Sequence, residues 1–439
     1  MNMGKRLIGL LLIPIMITSL FAGCGGASST TPGNTSQQPA SAQGGSVPTQ
    51  AEQGLSDGST GGDTVKIGLF ACLSGNNADS GKIVRQGVEL ATKLVNENGG
   101  LENLGGAKIE LVVTDITSDS TQVAAIVERV LSQNPDMACG LGFSTSGVTL
   151  AAISVFENYK MPFFTCGTNN DITTKGYNYV FRNVCNGTAF SDIQLEFIRY
   201  LQNAGYGGTK LGIVYENTAY GISMAESAEA KFSNADGLEL ALYESFSPGF
   251  SDASSLVTKL KNAGCDIVIP CAYANECSLI MSTMAQMNYS PIVVGGGAGM
   301  LLPSFGVDMG ESVNGITSAS CWNFDSTNIT NSAACTAAVK QYEETYGDFM
   351  AEHAGLTFSH LVAAAEAINY AGSTDHEEIR KAIIEMTPEW ELNLINPPGY
   401  WDFDEKGDNI NAIALIVQWQ DGRPRTVYPL EYAGAELMQ

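Results

Sequence analysis

The sequence predicts an α/β protein of two doubly wound, parallel-sheet lobes joined by a multi-strand hinge. Three observations predict it. Apolar runs of strand length alternate with amphipathic helical stretches from residue 65 onward. The alternation is too long for one doubly wound sheet. A hydrophobic fraction of 44% over 439 residues is enough for large cores.

The elements follow in order. VKIGLFACL reads as a first strand, and GKIVRQGVELATKLVNENGG as a helix with a glycine stop. KIELVVTDI is a second strand, and SDSTQVAAIVERVLSQ a helix with polar starters and one apolar face. MACGLGF, TSGVTLAAISVFENYK and PFFTCG continue as strand, helix and strand. The pattern then repeats with AFSDIQLEFIRYLQNAG, LGIVYE, YGISMAESAEAKFSNADG, ELALYESF, DASSLVTKLKNAG, DIVIPCA, ANECSLIMSTMAQMNY and PIVVGGG. NGITSAS, three helical stretches (332–346, 354–371, 375–386) and a closing strand pair, AIALIVQWQ and TVYPLEY, complete the chain. This βαβα order implies parallel strands covered on both faces.

The balance of 22 basic against 46 acidic residues, −24 in all, argues against a nucleic-acid partner, which needs clustered Lys and Arg. It also opposes adsorption to an anionic membrane surface. The N-terminus supplies another route to a membrane. MNMGKR is a positive n-region, LIGLLLIPIMITSLF is an apolar stretch too short to span, and AGC follows. Leu20-Phe21-Ala22-Gly23-Cys24 resembles a bacterial lipobox, with Phe21 where that pattern usually has leucine. The resemblance implies a signal peptide over 1–24, cleavage before Cys24 and acylation of that residue. Residues 25–64 are Gly, Ser, Thr, Gln and Pro, too polar to repay their ordering entropy, and read as a flexible linker.

Nine cysteines remain after Cys24, none in C-x-x-C, which disfavours a zinc site. Cys271–Cys277 and Cys321–Cys335 are both open as disulfides in an oxidising exterior. An enzyme has little to run on. Gly142-Phe143-Ser144-Thr145-Ser146 puts serine where the second glycine of a nucleophile elbow belongs. His353, His360 and His376 fall in one late helical region, where structural roles are expected. Gly295 to Gly299 lacks a P-loop ending and reads as a turn or inter-lobe crossing. No metal, nucleotide or redox motif remains, and no cofactor is expected.

Ser144, Thr145 and Ser146 stand where a parallel strand ends and a helix begins, the edge at which such sheets bind ligands. Unpaired N–H groups and the positive helix end suit a carboxylate there.

Several motifs, in order and at compatible spacing from Val65 to about Tyr432, resemble the leucine/isoleucine/valine-binding family of amino-acid receptors, with the type I periplasmic-binding fold. They are Leu73-Ser74-Gly75 with Gly87-Val88-Glu89-Leu90-Ala91, Gly142 to Ala152, Thr165-Cys166-Gly167-Thr168-Asn169, Asn217-Thr218-Ala219-Tyr220-Gly221, Tyr273-Ala274-Asn275-Glu276 and Phe403 to Asp408. Asn217 departs from the aspartate usual in the fourth. The resemblance implies that the Ser146 hydroxyl, the Cys166 and Gly167 backbone and Thr168 hold a ligand zwitterion. It further implies that Tyr220 closes from the second lobe and Glu276 pairs with the ammonium. Ser80 falls where branched-chain receptors often place a bulky aromatic, with Asn76, Asn77 and Asp79 beside it, so a ligand other than Leu, Ile or Val stays open. The implied lobes are 65–184 with 300–408, and 185–299 with 409–439. The implied protein is a monomeric, lipid-anchored solute receptor on the extracytoplasmic face, delivering an amino acid to an ABC permease and catalysing nothing. A non-amino-acid solute of amide or urea type, and a sensory ligand-presenting role, are the alternatives.

Overall fold

The computed structural model describes residues 64–326, 333–386 and 401–438. The expected signal peptide, Cys24 and nearly all of the linker therefore lie outside the described residues. Strands β1 (Thr64–Ala71), β2 (Lys108–Asp115), β3 (Met137–Gly142), β4 (Phe163–Thr165) and β5 (Val180–Arg182) form one sheet, ordered β2-β1-β3-β4-β5. All its pairings are parallel. Helices α1 (Ala78–Glu97), α2 (Ser120–Gln133) and α3 (Ser146–Asn158) connect its first four strands. All six residues of β3 are buried, as a strand covered on both faces requires, whereas edge strand β2 keeps partial exposure. One side of the sheet is filled by rings: Phe156 stacks on Phe163 at 4.0 Å, and Phe70 meets Phe156 edge-on at 5.2 Å.

The second sheet is built from β6 (Lys210–Glu216), β7 (Glu239–Phe246), β8 (Ile267–Cys271), β9 (Ile292–Gly295), β10 (Thr317–Ser320), β11 (Leu415–Gln420) and β12 (Arg423–Tyr428). Its order is β12-β11-β10-β9-β8-β6-β7, parallel from β7 to β10 and antiparallel at β11 and β12. Helices α4 (Gly187–Asn203), α5 (Ala219–Phe232), α6 (Ser254–Ala263), α7 (Ala274–Gln286) and α8 (Pro303–Met309) accompany it. After β10 the chain returns to the first half as α9 (Ala333–Tyr346), α10 (Glu352–Ala371) and α11 (His376–Glu385). Helix α10 packs along α1 and touches β3. Gly87 of α1 permits this: a Cβ there would stand 2.2 Å from the Ala354 carbonyl oxygen.

Two α/β halves are thus present as expected, with one correction. The expected lobe boundary at residue 300 does not hold, because β10 is hydrogen-bonded inside the second sheet. The chain crosses back only after Ser320. The glycine run 295–299 is a turn at the end of β9 and not a crossing. Strand β5 and helix α8 were not anticipated. Among the described residues, three passes join the halves: 183–186, the segment beginning at Cys321, and the segment leading from Asp408 to β11. Buried polar groups bind the first pass to the third. Arg182 Nε donates to Asp408 at 2.7 Å, and its other nitrogens reach the Asn169 carbonyl and Thr173. Asn409 donates to the Asn183 carbonyl at 3.2 Å. No described helix is long and apolar enough to cross a membrane.

Candidate functional site

A cleft of about 480 Å³ runs between the strand ends of the two sheets. Strand β3 builds its first wall. Gly142 has φ of 134°, a Cβ there would stand 2.1 Å from the Phe70 carbonyl oxygen, and Phe143 is left-handed at φ 52°. This double bend turns the chain before α3 starts, so Ser144 and Thr145 face the cleft. The N-cap of α3, Thr145, makes no side-chain capping bond, and its buried hydroxyl lies against the Cys72 thiol. The first turn of α3 thus has no cap from its own N-cap side chain and keeps its share of the positive helix end, while the Tyr273 hydroxyl from the other half meets the Ser146 backbone N–H. Ser80 donates to the Ser144 hydroxyl at 3.1 Å and closes this wall with Asn76, Asn77 and Asp79.

The second wall carries acids. Glu276, in the first turn of α7 and only 8% exposed, accepts the Gly249 N–H at 2.9 Å. Glu216, the last residue of β6, accepts the Tyr273 N–H at 3.1 Å. Burial pushes its carboxyl up to about 7, with the Glu276 charge adding to the rise. Among the described residues, no Lys or Arg lines this cleft or the recess behind it.

The recess is smaller, about 20 Å³, and shares Ser144, Tyr273, Ala298 and His353 with the cleft. Cys166, Thr168, Tyr220 and Glu352 line it. Tyr220 donates to the Gly296 carbonyl at 2.7 Å and stacks on Tyr273 at 5.1 Å. Glu352 accepts the Cys321 N–H at 2.5 Å and the Ser320 hydroxyl at 2.9 Å, and burial raises it to about 7. His353 is held neutral, its pKa lowered to about 4 by burial, and its Nδ1 has no partner. The two halves also touch directly, the Asn169 amide donating to the Ala219 carbonyl at 2.6 Å.

Six of the expected ligand residues therefore divide as follows. Ser80 and Glu276 line the cleft; Cys166, Thr168 and Tyr220 line the recess. Gly167 lines neither: its N–H donates to Thr165, and a Cβ there would stand 2.6 Å from Ile172. The seventh, Ser146, lines neither cavity. It is buried as the first residue of α3, and its hydroxyl accepts the Asn169 N–H at 3.3 Å. Ser144, just before the N-cap of α3, is the serine that lines the cleft. Glu216, Tyr273, Glu352 and His353 were not singled out as ligand groups. Glu216 directly precedes the Asn217–Gly221 motif, at a strand end, which was the available signal. Among the described residues, no cluster of His, Cys, Asp and Glu could hold a metal.

The fold has known counterparts. The family model described as "Periplasmic binding protein" matches residues 64–424. A Leu/Ile/Val-binding protein homolog 7 of Brucella melitensis is 29% identical over 385 residues, 85% of this chain and 93% of its own length. Homolog 8 of Brucella abortus is 28% identical over the same span. Among solved structures, the branched-chain amino-acid transporter substrate-binding protein LivJ of Streptococcus pneumoniae, in complex with isoleucine, superposes with a TM-score of 0.72 at 23% identity, over 84% of this chain and all of that one. The leucine-binding protein LivK of Thermotoga maritima gives 0.71 at 21%, over 83% of this chain and 98% of that one. The match spans both sheets and the passes between them, and the chain belongs to the periplasmic binding protein family.

Proposed function

We propose that this chain is a monomeric, lipid-anchored, extracytoplasmic solute-binding protein of an ABC importer. It clasps a small amino acid between its halves and delivers it to a permease. One observation carries the reading: the uncapped start of α3, with Ser144, and the Glu276 carboxylate share a single cleft. An α-amino acid carries an anion and a cation on neighbouring atoms, and these two features match them in kind. The names of the Brucella relatives and the isoleucine complex support an amino-acid cargo. Cys24 would carry the acyl chains, and more than one chain is what firm anchoring needs. Ligand favours closure through contacts absent from the open form, and those lie on Glu276 and the Tyr220–Tyr273 pair.

Calorimetry of the exported protein against the twenty L-amino acids tests this. At least one should bind, and Glu276→Gln should abolish most of that affinity. Failure of every amino acid to bind, or unchanged affinity in Glu276→Gln, overturns the reading. A second reading has its own observation. Glu216, raised to about 7, is partly protonated at neutral pH and stands beside the neutral amides of Asn217 and Asn275. Such a wall suits an amide or urea. Binding of urea or amino-acid amides, with no binding of the parent amino acids, would establish it instead.

A further inference from the structure

We infer that Cys185 and Cys321 form a disulfide that ties the first inter-lobe pass to the second. Cys185 lies in the pass between β5 and α4, and Cys321 opens the pass that follows β10. Their sulfurs are 2.8 Å apart and both residues are buried. That separation is well inside non-bonded sulfur contact, and a shift of less than ~1 Å reaches the ~2.05 Å disulfide bond. The pairing differs from both that the sequence left open. Cys277 turns its sulfur to the Ala272 carbonyl instead.

The bond would join residues 136 positions apart. That loop contains every parallel strand of the second sheet. The first and third passes are already held by Arg182–Asp408 and Asn183–Asn409. A Cys185–Cys321 bond completes the set, so the halves would bend about all three passes together and not slide one past another.

Forming the bond removes two protons and two electrons from the two thiols. The oxidant is a disulfide of an extracytoplasmic thiol–disulfide oxidoreductase, which leaves as a dithiol after passing through a mixed disulfide. Extracytoplasmic disulfides persist, whereas cytosolic ones are reduced, so this step rests on the exported location proposed above. Burial pushes the Cys321 thiol well above its ordinary range, with Cys185 adding to the rise. Exchange in the folded protein is therefore slow, and oxidation belongs to folding, before the passes are covered.

The full chain, isolated from the membrane of an exporting host, is denatured without reductant, alkylated with iodoacetamide, digested and mapped by mass spectrometry. A linked peptide pair containing Cys185 and Cys321, two hydrogens lighter than the sum of its free parts, is expected. In Cys185→Ser, Cys321 should become fully alkylated under the same treatment. Quantitative alkylation of both residues in the unsubstituted chain overturns the inference, as does a link from Cys321 to Cys335. These outcomes are independent of ligand: a chain that binds amino acids with both thiols free would refute the disulfide alone.

Discussion

Helices α3 and α5 begin in the same way, at the carboxyl end of a parallel strand and facing one cleft, yet their first turns differ. At α5 the Thr218 hydroxyl accepts the Gly221 N–H at 3.2 Å, so the helix caps itself. At α3 the N-cap side chain does not, and only the Tyr273 hydroxyl of the other half meets the Ser146 backbone. The second half satisfies its own helix start and presents acids, Glu216 and Glu276. The first half leaves a helix start open and presents hydroxyls. Two instances of one architectural element thus differ in what they present to the cleft, and the proposed function assigns the anion to one side and the cation to the other.

The sharpest way to break that contrast is Glu276→Gln. Removing one member of a buried charge pair costs about 3 kcal/mol, or on the order of 100-fold in amino-acid affinity by calorimetry. An effect below about threefold would remove the acid wall from the account.

The acids also set a pH dependence. Glu216 and Glu352 have ordinary values of 4.5 and folded values of about 7. The folded chain keeps these protons while the unfolded chain releases them, so their contribution to stability falls as pH rises from about 4.5 to 7 and is level above. The shifts correspond to on the order of 3 kcal/mol each. Glu352→Gln should flatten the fall in the urea midpoint between pH 5 and pH 7.5. An unchanged slope would mean that burial does not hold this proton.

On the hydroxyl wall, Ser144→Ala should weaken amino-acid binding by about tenfold, since hydrogen bonds to charged groups are worth about 1.5–3 kcal/mol. Ser146→Ala should change it by less than about twofold. The reverse order in calorimetry would restore Ser146 as the ligand residue. The smallest effect concerns the caps themselves. Thr218→Ala should cost about 1 kcal/mol in denaturant unfolding. Thr145→Val removes a hydroxyl that caps no helix N–H and should cost nothing comparable. Equal losses would erase the distinction between the two helix starts.

Much of this arrangement was legible in the residues, for local reasons. Buried parallel strands such as MACGLG and IVIPC are unbroken apolar runs, and the surface helices carry one apolar face. What stayed hidden was non-local. The four residues Thr317–Ser320 carry no mark of the sheet they join, since pairing with β9 and β11 is decided by tertiary contacts. Strand β5 has only three residues, too few for a period. That Ser144 and not Ser146 lines the cleft depends on where α3 starts, which the residue types do not announce. His353 was expected to be structural. It is buried on α10, but the helix start that carries it opens onto the recess. Cysteine spacing likewise could not pair Cys185 with Cys321.

Gly87 touches no part of the cleft, yet α10 rests against it, and α10 begins with Glu352 and His353. Any added carbon at Gly87 must push that helix outward and carry its first turn with it. Under the proposed function, ligand preference is therefore open to retuning from a site the ligand never meets, and a screen confined to contacting residues would overlook it.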